Sequence, residues 1–153
     1  MAHSFMTFRG QHHRMHETDS IVISRLAIEV AQQTSLGERL TASVREMIER
    51  WRTLLARHGV GVVDLELDRF IRTEPDRLAL ISLLHATCDF AHSRGATLDR
   101  DYLNQLIGAP HVLWFDLDYA TAEVEHALEG LIAVLETPRD ARILEAGQPQ
   151  LES

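Results

Sequence analysis

"LTASVREMIERWRTLLARHG", residues 40–59, decides how the chain is to be read. Leu40, Val44, Met47, Ile48, Trp51, Leu54 and Leu55 recur at the i, i+3, i+4, i+7 spacing and share one stripe of a helix. Arg45, Glu46, Glu49, Arg50 and Arg52 lie off that stripe, with Glu46 four residues before Arg50, the favourable order for a helical ion pair. His58 and Gly59 supply a last turn beside the negative helix end and a glycine stop. Upstream, "SLGE" predicts a capping box in which Ser35 accepts from the backbone NH of Glu38 and starts the helix there.

The same periodicity extends to either side. From Asp19 onward, Val22, Ile23, Leu26 and Val30 share one side of a helix and Ile21 and Ile28 the other, which places it near the middle of a bundle. "GVGVVDLELDRFIR", residues 59–72, allows a short strand at 60–63 and predicts a short helix after Asp64. In "TEPD", Thr73 can cap, Pro75 is tolerated in the first turn and Asp76 suits the positive end of a helix running to about Arg94 and stopped by Gly95. Thr97 is expected to cap a further helix through Ile107, ended by Gly108 and Pro110. The connector "HVLWFDLD", residues 111–118, leads to a helix from about Tyr119 to Glu136, and Pro138 starts a last short one ending near Gly147. The fold class is an all-α single domain, a bundle of about five to seven helices with short loops over residues 18–147. Residues 1–17 are expected to be a flexible, His-rich leader, with Met15 as an alternative start, and 148–153 a disordered tail.

Composition narrows the function. At 153 residues, with 45% apolar and 25% charged side chains, the chain suits one folded domain rather than a disordered segment. No apolar run reaches the roughly 18–20 residues of a membrane helix and no signal-peptide stretch opens the sequence, so a cytoplasmic location and no membrane partner are expected. Cys88 is the single cysteine, which excludes an internal disulfide and any multi-thiolate zinc site. All fifteen basic residues are arginine, a pattern that matches the codon bias of a GC-rich genome. The net charge of −8 argues against nucleic acid, whose affinity comes from cations near phosphates, and permits a basic protein partner.

"LLHATCDFAH", residues 83–92, gathers two histidines, a cysteine and an aspartate. At about 100° per residue, Leu80, Leu83, Leu84, Thr87, Phe90 and Ala91 fall on one side of the helix, and Ser82, His85, Asp89, His92 and Ser93 on the other. The polar set reads as a wet face. His85 and His92 stand roughly 10 Å apart along the axis, so one helix offers at most half of a metal site built on His85, Asp89 and His92. "HHRMH" puts His12 and His16 at i and i+4, a metal-binding spacing if helical. "EVEH", Glu123 with His126, imitates half of a di-iron motif, but both side chains point away from the stripe of Val124, Leu128, Leu131 and Leu135. Cys88 sits at the border of the apolar face as a small hydrophobe, with nothing nearby to form an oxyanion hole. "GVG" lacks the lysine and hydroxyl of a phosphate loop.

"AHSRGA" resembles the phosphotransfer domains, acidic helical bundles with an exposed histidine shortly before a basic residue and a glycine; His92, Arg94 and Gly95 carry the likeness. The family's glycine comes one residue later, inside a continuing helix, whereas Gly95 reads as a stop. "LNQLIGAPHVLWFDLD" has a helix-turn-helix outline, yet His111, Trp114, Asp116 and Asp118 would meet the groove with no Arg or Asn to read bases.

Charge gives the leading functional expectation. Between Leu98 and Glu136 stand Asp99, Asp101, Asp116, Asp118, Glu123, Glu125, Glu129 and Glu136 against Arg100 alone, a balance of −7. The aspartates fall near helix starts, where negative charge is worth about 0.3–1 kcal/mol each. Glu125, Glu129 and Glu136 have no such local reason and repel one another along one helix face. Trp114 and Phe115 beside them suit an aromatic anchor ringed by acids. The expectation is a non-enzymatic acidic helical protein that binds a basic protein partner, as bacterial immunity proteins and antitoxins do, through Trp114, Phe115, Asp116, Asp118, Glu125 and Glu129 and with no cofactor. Two alternatives remain: a metal- or small-ligand-binding protein using His85, Asp89 and His92, and a homo-oligomeric scaffold, such as a homodimer, joined through Trp114 and Phe115.

Overall fold

The structure is a computed structural model that describes residues 3–33, 35–58, 64–107 and 118–137. Among these residues the chain is a mostly helical single domain with seven helices and two small strand pairs. The possible strand at 60–63, the aromatic connector through residue 117, the helix after Pro138 and the 148–153 tail lie outside the described residues.

The centre is α1, Glu17–Gln33. From Ser20 to Val30 every residue except Arg25 and Glu29 is buried, so the helix is covered on nearly all sides. Of its two core serines, Ser24 is satisfied, its Oγ donating to the Ser20 carbonyl at 2.7 Å, while the buried Ser20 hydroxyl has no partner among the described residues. Packed around α1 are α3 (Ala42–His58), α5 (Glu74–Ser93), α6 (Arg100–Ile107) and α7 (Thr121–Leu135). The α3 stripe points inward as its spacing predicts: Leu40, Val44, Met47, Ile48, Trp51 and Leu55 are buried and Leu54 is half-buried. The Trp51 indole NH donates to the Leu65 carbonyl at 3.0 Å, satisfying its buried polar end. That bond also ties α3 to the segment entering α4, Leu67–Phe70.

The start of α3 differs from the sequence expectation. Ser35 makes no side-chain cap and precedes a separate four-residue helix, α2, Leu36–Arg39. Thr41 caps α3 instead, its Oγ1 accepting from the Val44 NH at 3.2 Å. Thr41 is held there by donating to Asp76 Oδ1 at 2.6 Å. Asp76 closes the capping box of α5 with Thr73 and accepts from the backbone NH groups of Thr73 and Arg72 at 3.2 and 3.3 Å. One buried carboxylate therefore serves two helix starts.

The α6 start was likewise expected at Thr97, which lies in strand β3, Thr97–Leu98, paired with β4, Tyr119–Ala120. Asp99 is the cap, its Oδ2 accepting from the Tyr102 NH at 3.2 Å. Thr121 opens α7 against the end of α5, donating from its hydroxyl to the Gly95 carbonyl at 2.7 Å. At the other end Arg77 Nη1 donates to the Leu135 carbonyl at 3.2 Å, so α5 and α7 run antiparallel.

The largest correction concerns the N-terminal segment, which is not a mobile leader. Strands β1 (His3–Phe8) and β2 (Gln11–His16) form an antiparallel hairpin. The two-residue turn takes positive φ at Arg9 (50°) and Gly10 (79°), the geometry that matches strand twist. Met6, Phe8 and Met15 are buried in the common core, so a chain begun at Met15 would lose all of β1 and two core side chains. The Arg9 NH, in its left-handed conformation, is anchored by Asp68 Oδ1 at 3.0 Å.

Burial pushes the Asp76 carboxyl up, but its bonds from Thr41, Thr73 and the Arg72 backbone together hold it below the usual carboxylate range. A carboxylate so depressed contributes stability that is present above its unfolded value near 3.9 and lost as pH falls through the folded value. Asp76→Asn is expected to cost about 2 kcal/mol at neutral pH. In urea titrations the gap from wild type should close as the pH is taken below about 3.9.

Candidate functional site

α5 and α7 bring the outward-facing groups of two distant segments onto one surface. On α5, Ser82, His85, Asp89, His92 and Ser93 are all exposed, while Leu80, Leu83, Leu84, Thr87 and Ala91 are buried. On α7, Val124, Ala127, Leu128, Leu131, Ile132, Val134 and Leu135 are buried, leaving Glu125 half-buried and Glu129 exposed beside α5. His92 Nε2 stands 3.2 Å from Glu125 Oε2. Burial raises the Cys88 thiol above its ordinary value, and Glu125, Asp89 and Glu129 push it further the same way. The field of these three carboxylates adds to burial in disfavouring the thiolate of this half-buried cysteine, and a thiol kept protonated is a poor nucleophile. Among the described residues neither Asp89 nor Glu129 has an arginine partner.

Of the residues expected to bind a partner, the structure brings Glu125 and Glu129 together with Asp89. Asp118 lies at the α6 start, where its Oδ1 accepts from the Arg100 NH at 3.1 Å. Trp114, Phe115 and Asp116 lie outside the described residues. Among the described residues no group of three or more His, Cys, Asp or Glu side chains is placed to hold a metal ion, His85, Asp89 and His92 included. Gly95 has φ of 110° and ends α5, so the His92 segment departs from the phosphotransfer pattern in conformation as well as in spacing.

A second polar region was not apparent from the sequence. His13, Arg14, His16, Asp19, Glu123 and His126 line a groove of about 590 Å³ between β2, the start of α1 and α7. Glu123 and His126 do point away from the α7 core stripe, as their spacing indicates, but they face the hairpin. His12 and His16, whose spacing would suit a metal only on a helix, stand on the exposed face of a strand, four residues or roughly 13 Å apart along it. His13 alternates inward with Met15 and lies against α7: a Cβ at Gly130 would be 2.2 Å from its Cε1 and 2.5 Å from its Nε2. Burial lowers the His13 pKa and His126 lowers it further. Burial raises Asp19, with Glu123 adding to the rise and His16 and His126 opposing it. The legible signal for this region was "RG" between two short alternating runs, a two-residue hairpin turn.

No protein-family model matches the chain, and neither a curated protein nor a solved structure matches it significantly. No described helix is long and apolar enough to cross a membrane.

The contact at Gly130 can be tested by a double-mutant cycle. Gly130→Ala alone should gain about 1 kcal/mol of helix propensity, but the methyl forces the His13 ring to move. Thermal denaturation is expected to show G130A neutral or destabilising in wild type and stabilising by about 1 kcal/mol when His13 is already alanine. Equal effects in both backgrounds would mean the ring does not rest on the glycine.

Proposed function

We propose that the protein is a non-enzymatic acidic binding module whose α5–α7 face docks a basic segment of another protein. The observation that carries this reading is the placing of Asp89, Glu125 and Glu129 on one α5–α7 surface, joined across the helices by His92 and Glu125, with no arginine to neutralise Asp89 or Glu129 among the described residues. Folding alone gives no reason for that arrangement, since like charges at i, i+4 weaken α7 by a few tenths of a kcal/mol. A cationic side chain set between the two helices would meet carboxylates from both at once, and the concentrated potential would speed encounter. Trp114, Phe115 and Asp116 are proposed to extend this surface, the aromatic pair as its apolar anchor. Small acidic inhibitors of the immunity and antitoxin class work by such charge complementarity, and this chain is proposed to act in the same way, in the cytoplasm.

The discriminating experiment is affinity capture from the source organism at low salt with wild type and with the triple variant D89N/E125Q/E129Q. Wild type should retain a basic protein that high salt releases, and the variant should bind it at least tenfold more weakly, mostly through slower association. Recovery of no basic partner, or a partner indifferent to the three substitutions, would overturn the reading.

A further inference from the structure

The inner face of the hairpin carries Met6, Phe8 and Met15, all buried, and one titratable side chain, His13. His13 sits opposite Met6 in the strand register and presses its ring on the α7 backbone at Gly130, where a side chain larger than hydrogen would not fit without moving it. We propose that His13 is an acid-sensitive catch that holds the N-terminal hairpin on α7, and that its protonation frees the hairpin while the helical body stays folded.

A neutral imidazole can lie on an apolar interface; a charged one must recover water or find an anion. The groups facing it are mixed. From β2 come Arg14 and His16, from α7 His126, and these disfavour a second cation. From α1 comes Asp19 and from α7 Glu123, and these favour one. The balance falls against the charged ring, whose pKa is lowered by burial first and His126 second. The sign follows directly: the freed hairpin binds the proton at about 6.5, the docked one only at lower pH, so acidification through that window favours release. Asp19 acts in the opposite direction, since burial raises its carboxyl and acid therefore favours its docked state.

The hairpin is also held by the buried Met6, Phe8 and Met15 and, at its turn, by the Arg9 NH to Asp68 and Arg9 Nη1 to the Thr137 carbonyl at 3.4 Å. Within the common core α1 also packs on α3, α5, α6 and α7 directly, contacts that do not pass through the hairpin. Opening the hairpin would uncover the apolar seat of Met6, Phe8 and Met15 on that body.

Amide hydrogen exchange on the full chain between about pH 7 and pH 5.5, corrected for the intrinsic pH dependence of exchange, tests the catch. β1 and β2 are expected to lose protection by up to tenfold per pH unit below about 6.5, while central amides of α3 and α5 hold and the fluorescence of buried Trp51 is unchanged. In His13→Gln the hairpin profile should be flat. If that variant is already unprotected at pH 7, His13→Phe, which keeps a planar ring on Gly130 without a titrating group, decides: a flat profile supports the catch and a falling one overturns it. A flat wild-type profile, equal loss in wild type and H13Q, or simultaneous loss across all helices would also overturn it.

Discussion

A helix that is apolar around nearly its whole circumference cannot be satisfied by one neighbour, and α1 imposes that demand on the rest of the chain. From Ser20 to Val30 it exposes almost nothing, so each side must be covered by a different element. α3, α5, α6 and α7 provide most of the cover, and the hairpin adds to it through Met6, Phe8 and Met15. The stripes on the outer helices are accordingly single-sided. Their opposite faces are released from packing and carry the polar chemistry, including the α5–α7 carboxylates and the histidine groove.

What the sequence made legible follows the same division. Single-sided stripes at helical spacing identified α3, α5 and α7 with their inward residues, and Gly95 marked the α5 stop, because these depend on neighbours within a turn or two. The caps at Ser35 and Thr97 were misplaced for a different reason. Thr41 wins over Ser35 because Asp76, far along the chain, orients its hydroxyl, and Thr97 is taken into a strand by Tyr119 and Ala120 beyond the connector. The hairpin was hidden by its composition: three histidines and an arginine in β2 dilute the alternation that Met6, Phe8, His13 and Met15 complete only when the two strands are paired.

The candidate site divides in the same way. The outward direction of His85, Asp89, His92, Glu125 and Glu129 could be read from each helix alone. The antiparallel pairing that sets His92 against Glu125 and brings the field of the α7 carboxylates to Cys88 could not, since no local pattern specifies which helix lies beside which. The meeting of His13 with Gly130 was even less accessible, for it needs both the hairpin and a glycine whose only local meaning would be a weak point in a helix.

Charge pairing makes the two sides of the molecule chemically unlike. Arg50 and Arg69 both bond Glu66 at 3.0 and 3.1 Å, Arg52 meets Glu49 at 3.4 Å, and Arg77 meets Glu74, all on or beside α3, α4 and the start of α5. Glu66 is a left-handed residue with φ of 52°, and its carboxyl is held low because the two arginine bonds outweigh the effect of burial. The arginines there are consumed by the fold. On α7 Glu125 faces a histidine, which is a cation only when protonated, and Glu129 is exposed with no arginine partner among the described residues. Among the described residues the arginine pairs gather around α3, α4 and the start of α5 while Asp89 and Glu129 have none, an uneven distribution of charge that gives the folded part a directional field.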